Sequence, residues 1–525
     1  MPRSTSNLSR FRPGFAKKGR QLVCLLAVLI MAVGPVQASV TYNAPGSLST
    51  AGSLIEDILQ NHTDADFSAI VSDSTVSTAL TATGVVNLTE DDNDLEASVL
   101  ANSSSLSTDI ALVSGTAGSL ASVNVQENDT VTAFSQITGS NVTADLTDPF
   151  TGSSASLSGN GIVAETNLNA TVQVAEGQIN TSFNSALAGT ATTTATTLAG
   201  DAGLFVGSAQ INNAVTPPAG QTNFAEVSGT NNIALTVDGT FGSSLSLTAD
   251  DNTISAAFTG NNAKNLLAVE AGGATALTSS AGIANLQVND DVAAANGASA
   301  VVAESGISAS IQDDPLTTSS LSFDGNSLQA SATGSVADNR LTVEAGLNVD
   351  ADGNQQNRLY FTPGTESSVT RGGLFLNNTQ LADGSPVSAT ATDPTTGAAL
   401  SVDSRGLISS TLTADGNSFE AIALGNDAYG SITVGGATSF TGAVAASNLQ
   451  AITDSPVTAT ASAGTLAVNL GGSAVVGGGT TGVDHVTGST ISVNDNTVSA
   501  LAVGNRDPRS EERRVGKECR SRGAT

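Results

Sequence analysis

One phrase returns along this chain. LTADGNSFEAIALGN at 412–426 recurs as ISVNDNTVSALAVGN at 491–505 and as LTADDNTISAAFTGN at 247–261. Aligned on the Asn that follows the acidic-Gly step, the frame also fits 88–102, 123–137 and 321–335, and 286–300 with Asp291 in the Asn place. Its key positions are 93, 128, 252, 291, 326, 417 and 496, and neighbouring occurrences imply a loose period of roughly 35–40 residues. A second phrase pairs SPVSATAT (385–392) with SPVTATAS (455–462), and a third pairs DPFTG (148–152) with DPTTG (393–397). Such a chain is built from stacked copies of one unit, not around a single irregular core.

The frame reads strand, turn, strand. Leu412, Ala414, Phe419, Ala421 and Ala423 alternate with Thr413, Ser418, Glu420 and Ile422. Period-two alternation places one set on a buried face. Asp415-Gly416-Asn417 is the turn, because Asp, Gly and Asn tolerate positive φ. The same step would close a hairpin or form a corner of a parallel β-solenoid. The recurring Asn favours the solenoid, since stacked amides form hydrogen-bonded ladders along the axis. The expectation is therefore an all-β elongated repeat architecture, a β-solenoid rather than stacked antiparallel hairpins. Helical spacing occurs only in GSLIEDILQ (52–60), within an N-terminal cap region expected over 39–87. The repeat region spans 88–505, with an irregular insert expected near 190–225, where TATTTATTLAG and Pro217-Pro218 break the frame.

The two ends differ from this body. Arg10, Arg12, Lys17, Lys18 and Arg20 precede the apolar run QLVCLLAVLIMAV (21–33), and Val36-Gln37-Ala38 supplies small residues before a cut. Residues 1–38 are thus expected to be a secretory signal peptide, with Cys24 part of its apolar run. Residues 506–525 turn abruptly basic, and RSEERRVGKECRSR (509–522) resembles translated cloning-vector sequence, so this tail is expected to be non-native. Of the 18 Lys and Arg, only Lys264, Arg340, Arg358, Arg371 and Arg405 lie between the two ends. A body that acidic repels nucleic acid, because phosphate binding needs Lys and Arg. No second apolar run in the body is long enough to cross a membrane. Aromatics make up 3% of the chain and Trp is absent, so the interior must be filled by small side chains in thin layers.

Little in the sequence points to catalysis. His62 and His485 are the only histidines, and Asp484-His485 near GGGTTG (477–482) lacks any signal that would single out a nucleophile among many serines. A polysaccharide-cleaving β-helix would need paired carboxylates and sugar-binding aromatics, and the tyrosines are scattered at 42, 360 and 429. Calcium is the one cofactor to consider. Asn348, Asp350 and Asp352 with Gly353 match the first half of an EF-hand loop, but Leu359 stands where the closing carboxylate belongs. Glu90-Asp91-Asp92-Asn93-Asp94 is a second acidic cluster.

Phrases such as DGNSFEAIALGN (415–426) resemble large secreted bacterial β-strand-repeat proteins, a group of adhesins, surface-layer proteins and matrix components. SALAVGN (499–505) also resembles trimeric autotransporter heads, although their 14-residue periodicity is not sustained here. The resemblance implies an exported, non-enzymatic structural or adhesive protein at the bacterial surface. Its partners would be cell-surface or matrix components, or other copies of itself. The rival readings are a carbohydrate-active β-helix enzyme, to which Arg358, Arg371 or Arg405 would contribute, and a fibril-forming matrix protein.

Overall fold

The long amphipathic runs on either side of each Asn step cannot bury their apolar faces alone, and they bury them by winding into a parallel β-solenoid. In a computed structural model the described residues lie between 36 and 506. Residues 1–35 and 507–525 fall outside them, as do connecting segments within the body, chiefly 45–52, 184–188, 272–280, 294–298, 393–398 and 471–485. Among the described residues the strands form five stacked faces of six or seven strands, besides smaller parallel stacks of two or three, and within each face the order follows the chain. The long face holds Val36–Ala44, Asp94–Leu112, Gly161–Ile179, Thr253–Ala271, Ser327–Ala345, Ser418–Gly435 and Thr497–Arg506. The second face runs from Ser53–Thr63 through Ser119–Asp129, Leu204–Asn213, Ala281–Asp290 and Leu374–Asp383 to Val444–Thr453. The third face begins with Asp66–Ser72, the fourth with Thr75–Thr81 and the short fifth with Asn87–Thr89. All pairings between successive strands of these faces are parallel.

The repeated phrases stack on one another. Thr253 pairs with Ser327 and Ala271 with Ala345, so the two longest matching phrases lie one above the other. SPVSATAT lies on SPVTATAS, with Val387 opposite Val457. The coil, however, is larger than the sequence spacing implies. The Asn column at the corner before the long face is Asn93, Asn160, Asn252, Asn326, Asn417 and Asn496, at steps of 67, 92, 74, 91 and 79 residues. Asn160 belongs to it, whereas Asn128 and Asp291 sit at a different corner, at the end of the second face. Each coil thus carries two corners of like chemistry, and half a coil reads as a whole one.

Two cores fill the coil. Ile162, Ala164, Ile254, Ala256, Leu328, Ala330, Phe419 and Ala421 line the first half of the long face and meet the third, fourth and fifth faces in one apolar cluster. Leu412, Ala414 and Ala423 are in it as well, as the alternation requires. A fully buried Leu, Ile or Phe contributes about 1.5–3 kcal/mol. Behind the second half of the long face the filling changes to amides. Asn124, Gln126, Asn212, Gln287, Asn289 and Gln380 are buried there between the long and second faces.

Two sequence expectations change. Ser53–Thr63, which contains the segment with helical spacing, is a strand paired residue by residue with Ser119–Asp129, because its neighbour supplies a ladder that outweighs local spacing. Within 190–225, Thr196–Gly200 leaves the stack to join an antiparallel sheet with Gly189–Thr192, Gln356–Phe361 and Glu366–Arg371. Leu204–Asn213 and Ala225–Ser228 remain in the coils. These excursions account for the two longest steps. Strand pairing also begins at Val36, two residues before the expected cleavage point.

Candidate functional site

The corner before the long face concentrates the polar chemistry. Its backbone turns through a left-handed residue in every coil: Asp92, Gly159, Asp251, Gly325, Gly416 and Asp495, with φ between 54 and 72°. Where an Asp stands in one coil, its carboxylate folds over the next. A Cβ on Gly159 would lie 2.5 Å from Asp92 Oδ1, which is why Gly follows Asp there. The Asn after the turn is the ladder. Asn252 Nδ2 donates to Asn326 Oδ1 at 3.0 Å and to the Leu157 carbonyl at 2.9 Å, and Asn326 Nδ2 repeats this toward Asn417 at 3.1 Å and the Ala249 carbonyl at 2.8 Å.

A column of carboxylates stands one residue before the left-handed position. Asp250 Oδ1 accepts the Asp324 N–H at 2.8 Å, Asp324 accepts that of Asp415 at 2.7 Å, and Asp415 accepts that of Asn494 at 2.7 Å. Asp91 accepts the Ser158 N–H at 2.9 Å and the Ser156 hydroxyl at 2.7 Å. Ser322 Oγ bridges Asp250 and Asp324, donating at 2.9 Å to either. Burial raises the Asp250 carboxyl above its ordinary range, partly offset by the N–H and hydroxyl it accepts. These carboxylates are committed to holding coils together.

A second acidic group lies on the side of the long face opposite the apolar core. Asp94, Glu96 and Glu165 share it, with Glu96 beside Val163 in the neighbouring strand. Glu165 is only 4% exposed. Burial pushes its carboxyl up to about 7, the Asn167 amide, donating at 2.6 Å, lowers it, and the Glu96 charge raises it. Burial, with the Asp92 charge, raises Asp94, and burial, with the Asp94 charge, raises Glu96. The hydrogen bond from Asn167 fixes the position of the Glu165 carboxyl.

The residues singled out from sequence are dispersed. Asn348 and Asp350 lie in the strand Asn348–Ala351, paired with Ser439–Gly442, and Asp352 lies outside the described residues. In the acidic cluster, Glu90 accepts the Thr78 hydroxyl and the Asn93 amide. His62 packs edge-on against Phe67, 5.1 Å between ring centres, whereas Asp484 and His485 lie outside the described residues. Arg358 and Arg371 are on adjacent strands of the antiparallel sheet, and Arg405 follows the strand Leu400–Ser404 of the fourth face. Among the described residues no three His, Cys, Asp or Glu side chains converge into a metal-sized group. No helix there is long and apolar enough to cross a membrane, which bears on helical spans alone.

Amide ladders also run through the interior, where composition alone points to small apolar side chains. Gln126 Nε2 donates to Gln60 Oε1 at 2.8 Å, Gln210 to Gln126 at 2.9 Å, Gln287 to Gln210 at 2.9 Å, Gln380 to Gln287 at 2.7 Å and Gln450 to Gln380 at 2.7 Å. Each of these five donors thus points toward the N-terminal coil. The Asn columns run the other way: Asn102 Nδ2 donates to Asn169 Oδ1, and Asn169 to Asn261, both at 2.9 Å. The sequence does carry a signal for this, the tripeptide Asn-x-Gln at 124–126, 285–287, 378–380 and 448–450. Comparison with family models, with curated proteins and with solved structures finds no match.

Proposed function

We propose that this is a non-enzymatic structural or adhesive protein, exported to the bacterial surface, whose task is mechanical. The observation that carries the reading is where the buried polar groups point. The Asn and Gln amides and the corner carboxylates bond along the axis, from coil to coil, and tie each turn to the next. Polar side chains spent on axial ladders resist separation of the coils, which is what a load-bearing or displayed element needs. The basic-apolar leader supports export, and a net charge of −29 suits a solvated, self-repelling exterior.

The test is a pair of measurements on the purified chain. Single-molecule pulling should give high, stepwise rupture forces with contour increments of one coil, 67–92 residues. A panel of polysaccharides incubated with the same preparation should be returned uncut. Turnover of any of them, lost on replacing Glu96 or Glu165, would instead favour the carbohydrate-active reading.

A further inference from the structure

Two connections in the middle of the stack are longer than the others, and they meet. After the long-face strand Thr253–Ala271 the chain reaches the second face through 272–280. After Gly161–Ile179 and Ser327–Ala345, the strands on either side of it, the chain takes 180–203 and 346–373. Each long connection contributes two strands, Gly189–Thr192 with Thr196–Gly200 and Gln356–Phe361 with Glu366–Arg371. Neither pair would stand alone, since an isolated hairpin is marginal in water. They join across the coil between them: Thr196 pairs with Phe361 and Gly200 with Asn357, antiparallel. The gap is short enough to bridge, because coils two steps apart are separated by only about 9.6 Å.

This antiparallel sheet lies along the second face. Its strands run beside Ser119–Asp129, Leu204–Asn213, Ala281–Asp290 and Leu374–Asp383. One side of the second face carries the glutamines, which bond to the long face. By alternation Val125, Phe205, Ala209, Leu286 and Phe375 point the other way, and they form a buried apolar cluster of their own. An apolar side needs a second layer to keep it from water, and the sheet supplies it.

We propose that the sheet is a clasp: it ties together coils that are not neighbours, and the turns it spans cannot part until it does. In a plain stack each coil touches only the next, so opening is cheapest as a split at one interface. Here a split on either side of Thr253–Ala271, from Gly161–Ile179 or from Ser327–Ala345, would carry Thr196–Gly200 away from Gln356–Phe361. It must therefore break the antiparallel ladder as well, and uncover the apolar side of the second face. The pairing also closes a loop in the chain between Gly200 and Asn357. The coils already hold the ends of that loop together, so closing it costs little in the folded stack and removes freedom from a partly opened one.

A sheet that only covered the second face would protect that face alone, whereas a clasp protects whole turns. The fourth-face strands Asn231–Asp238 and Ser305–Ile311 tell the two apart. They stack on each other across one of the clasped interfaces, and Ser305–Ile311 stacks on Leu400–Ser404 across the other. They belong to a different face of the coil from the one the sheet lies along. The inference concerns how the stack opens, and it does not rest on the adhesive or load-bearing reading.

The experiment is hydrogen exchange of the full chain, read by mass spectrometry in those two fourth-face strands. Two cysteine pairs can lock the clasp: Leu198→Cys with Leu359→Cys, and Ala199→Cys with Arg358→Cys. Successive pairs of an antiparallel ladder alternate in type, so one of these is the close, non-hydrogen-bonded kind. At least one pair should oxidise within the monomer, as peptide mapping would identify. Oxidation should slow exchange in both fourth-face strands roughly tenfold, and reduction should restore it. Leu198→Pro loosens the clasp, because it removes an N–H from an inner strand of the sheet. Excision of Gln356–Arg371 removes half of it and leaves a short connection like 272–280. Each should speed exchange in both strands roughly tenfold while the circular dichroism spectrum stays that of a β protein. The bridge and Leu198→Pro decide the matter even if the excised chain does not fold. Failure of both cysteine pairs to bridge would overturn the proposal. So would fourth-face exchange that neither oxidation nor Leu198→Pro changes, for the sheet would then be a cover and no clasp.

Discussion

Replacing Asn326 by Ala removes one rung from the middle of the corner ladder. The side chain makes four bonds: Oδ1 accepts the Asn252 N–H at 3.1 Å and the Asn252 amide at 3.0 Å, and Nδ2 donates to the Asn417 Oδ1 at 3.1 Å and the Ala249 carbonyl at 2.8 Å. Asn252, Asn326 and Asn417 are all 1% exposed or less, so water cannot replace the lost partner. Each bond is worth about 1 kcal/mol net, and a backbone group left buried without a partner costs about 1–3 kcal/mol. The expected loss is therefore about 4–6 kcal/mol, a large share of the roughly 5–15 kcal/mol that stabilises a typical domain. Asn496→Ala removes the last rung, beside solvent, and should cost only about 1–2 kcal/mol. Denaturant unfolding followed by circular dichroism measures both, and hydrogen exchange locates the weakened coils. Equal and small losses, below about 1 kcal/mol for each variant, would refute the view that the amides hold the coils together.

Glu165→Gln tests the buried carboxyl. Its folded pKa, about 7, lies above the ordinary 4.5, so the folded state holds the proton more tightly and stability falls as pH rises between those values. The variant should match the parent at pH 4 and be more stable at pH 8 by up to about 3 kcal/mol, read from unfolding midpoints at the two pH values. Gly282→Ala should be strongly destabilising, by about 1–3 kcal/mol or more, because the Phe375 ring occupies the space of a Cβ there; an unchanged melting temperature would contradict that packing. Gly325→Ala should cost more than Gly416→Ala, since both have positive φ but only Gly325 lies under an Asp carboxylate, that of Asp251.

Much of this architecture was legible. Leu412, Ala414, Phe419, Ala421 and Ala423 alternate in the sequence and are all buried, and the Asn after the turn is a ladder residue. The coil length was not legible, because the corners at Asn93 and Asn128 use the same acidic-Asn step, and because Asn160 follows Ser-Gly instead of an acid. The strand at Ser53–Thr63 was hidden because LIEDILQ satisfies helical spacing as well as alternation, and only its neighbour Ser119–Asp129 decides between them. The amide core is not legible in the sequence, since Asn and Gln ordinarily mark surface or turns. Stacked at intervals of 66–93 residues, they satisfy one another and can be buried. The long strand spans about 60 Å, and six turns rise only about 29 Å, at about 4.8 Å per turn.

The most direct test of the coil is a disulfide between stacked positions. Ser327 and Ser418 face each other across one step, with hydroxyl oxygens 3.0 Å apart. The pair Ser327→Cys and Ser418→Cys should oxidise to a bridge that peptide mapping identifies, because neighbouring strands bring the Cα atoms within about 5 Å. Ser327→Cys with Thr497→Cys, two steps apart, should not. A bridge in the second pair but not the first, or in neither, would contradict a parallel stack in which residue 327 meets residue 418.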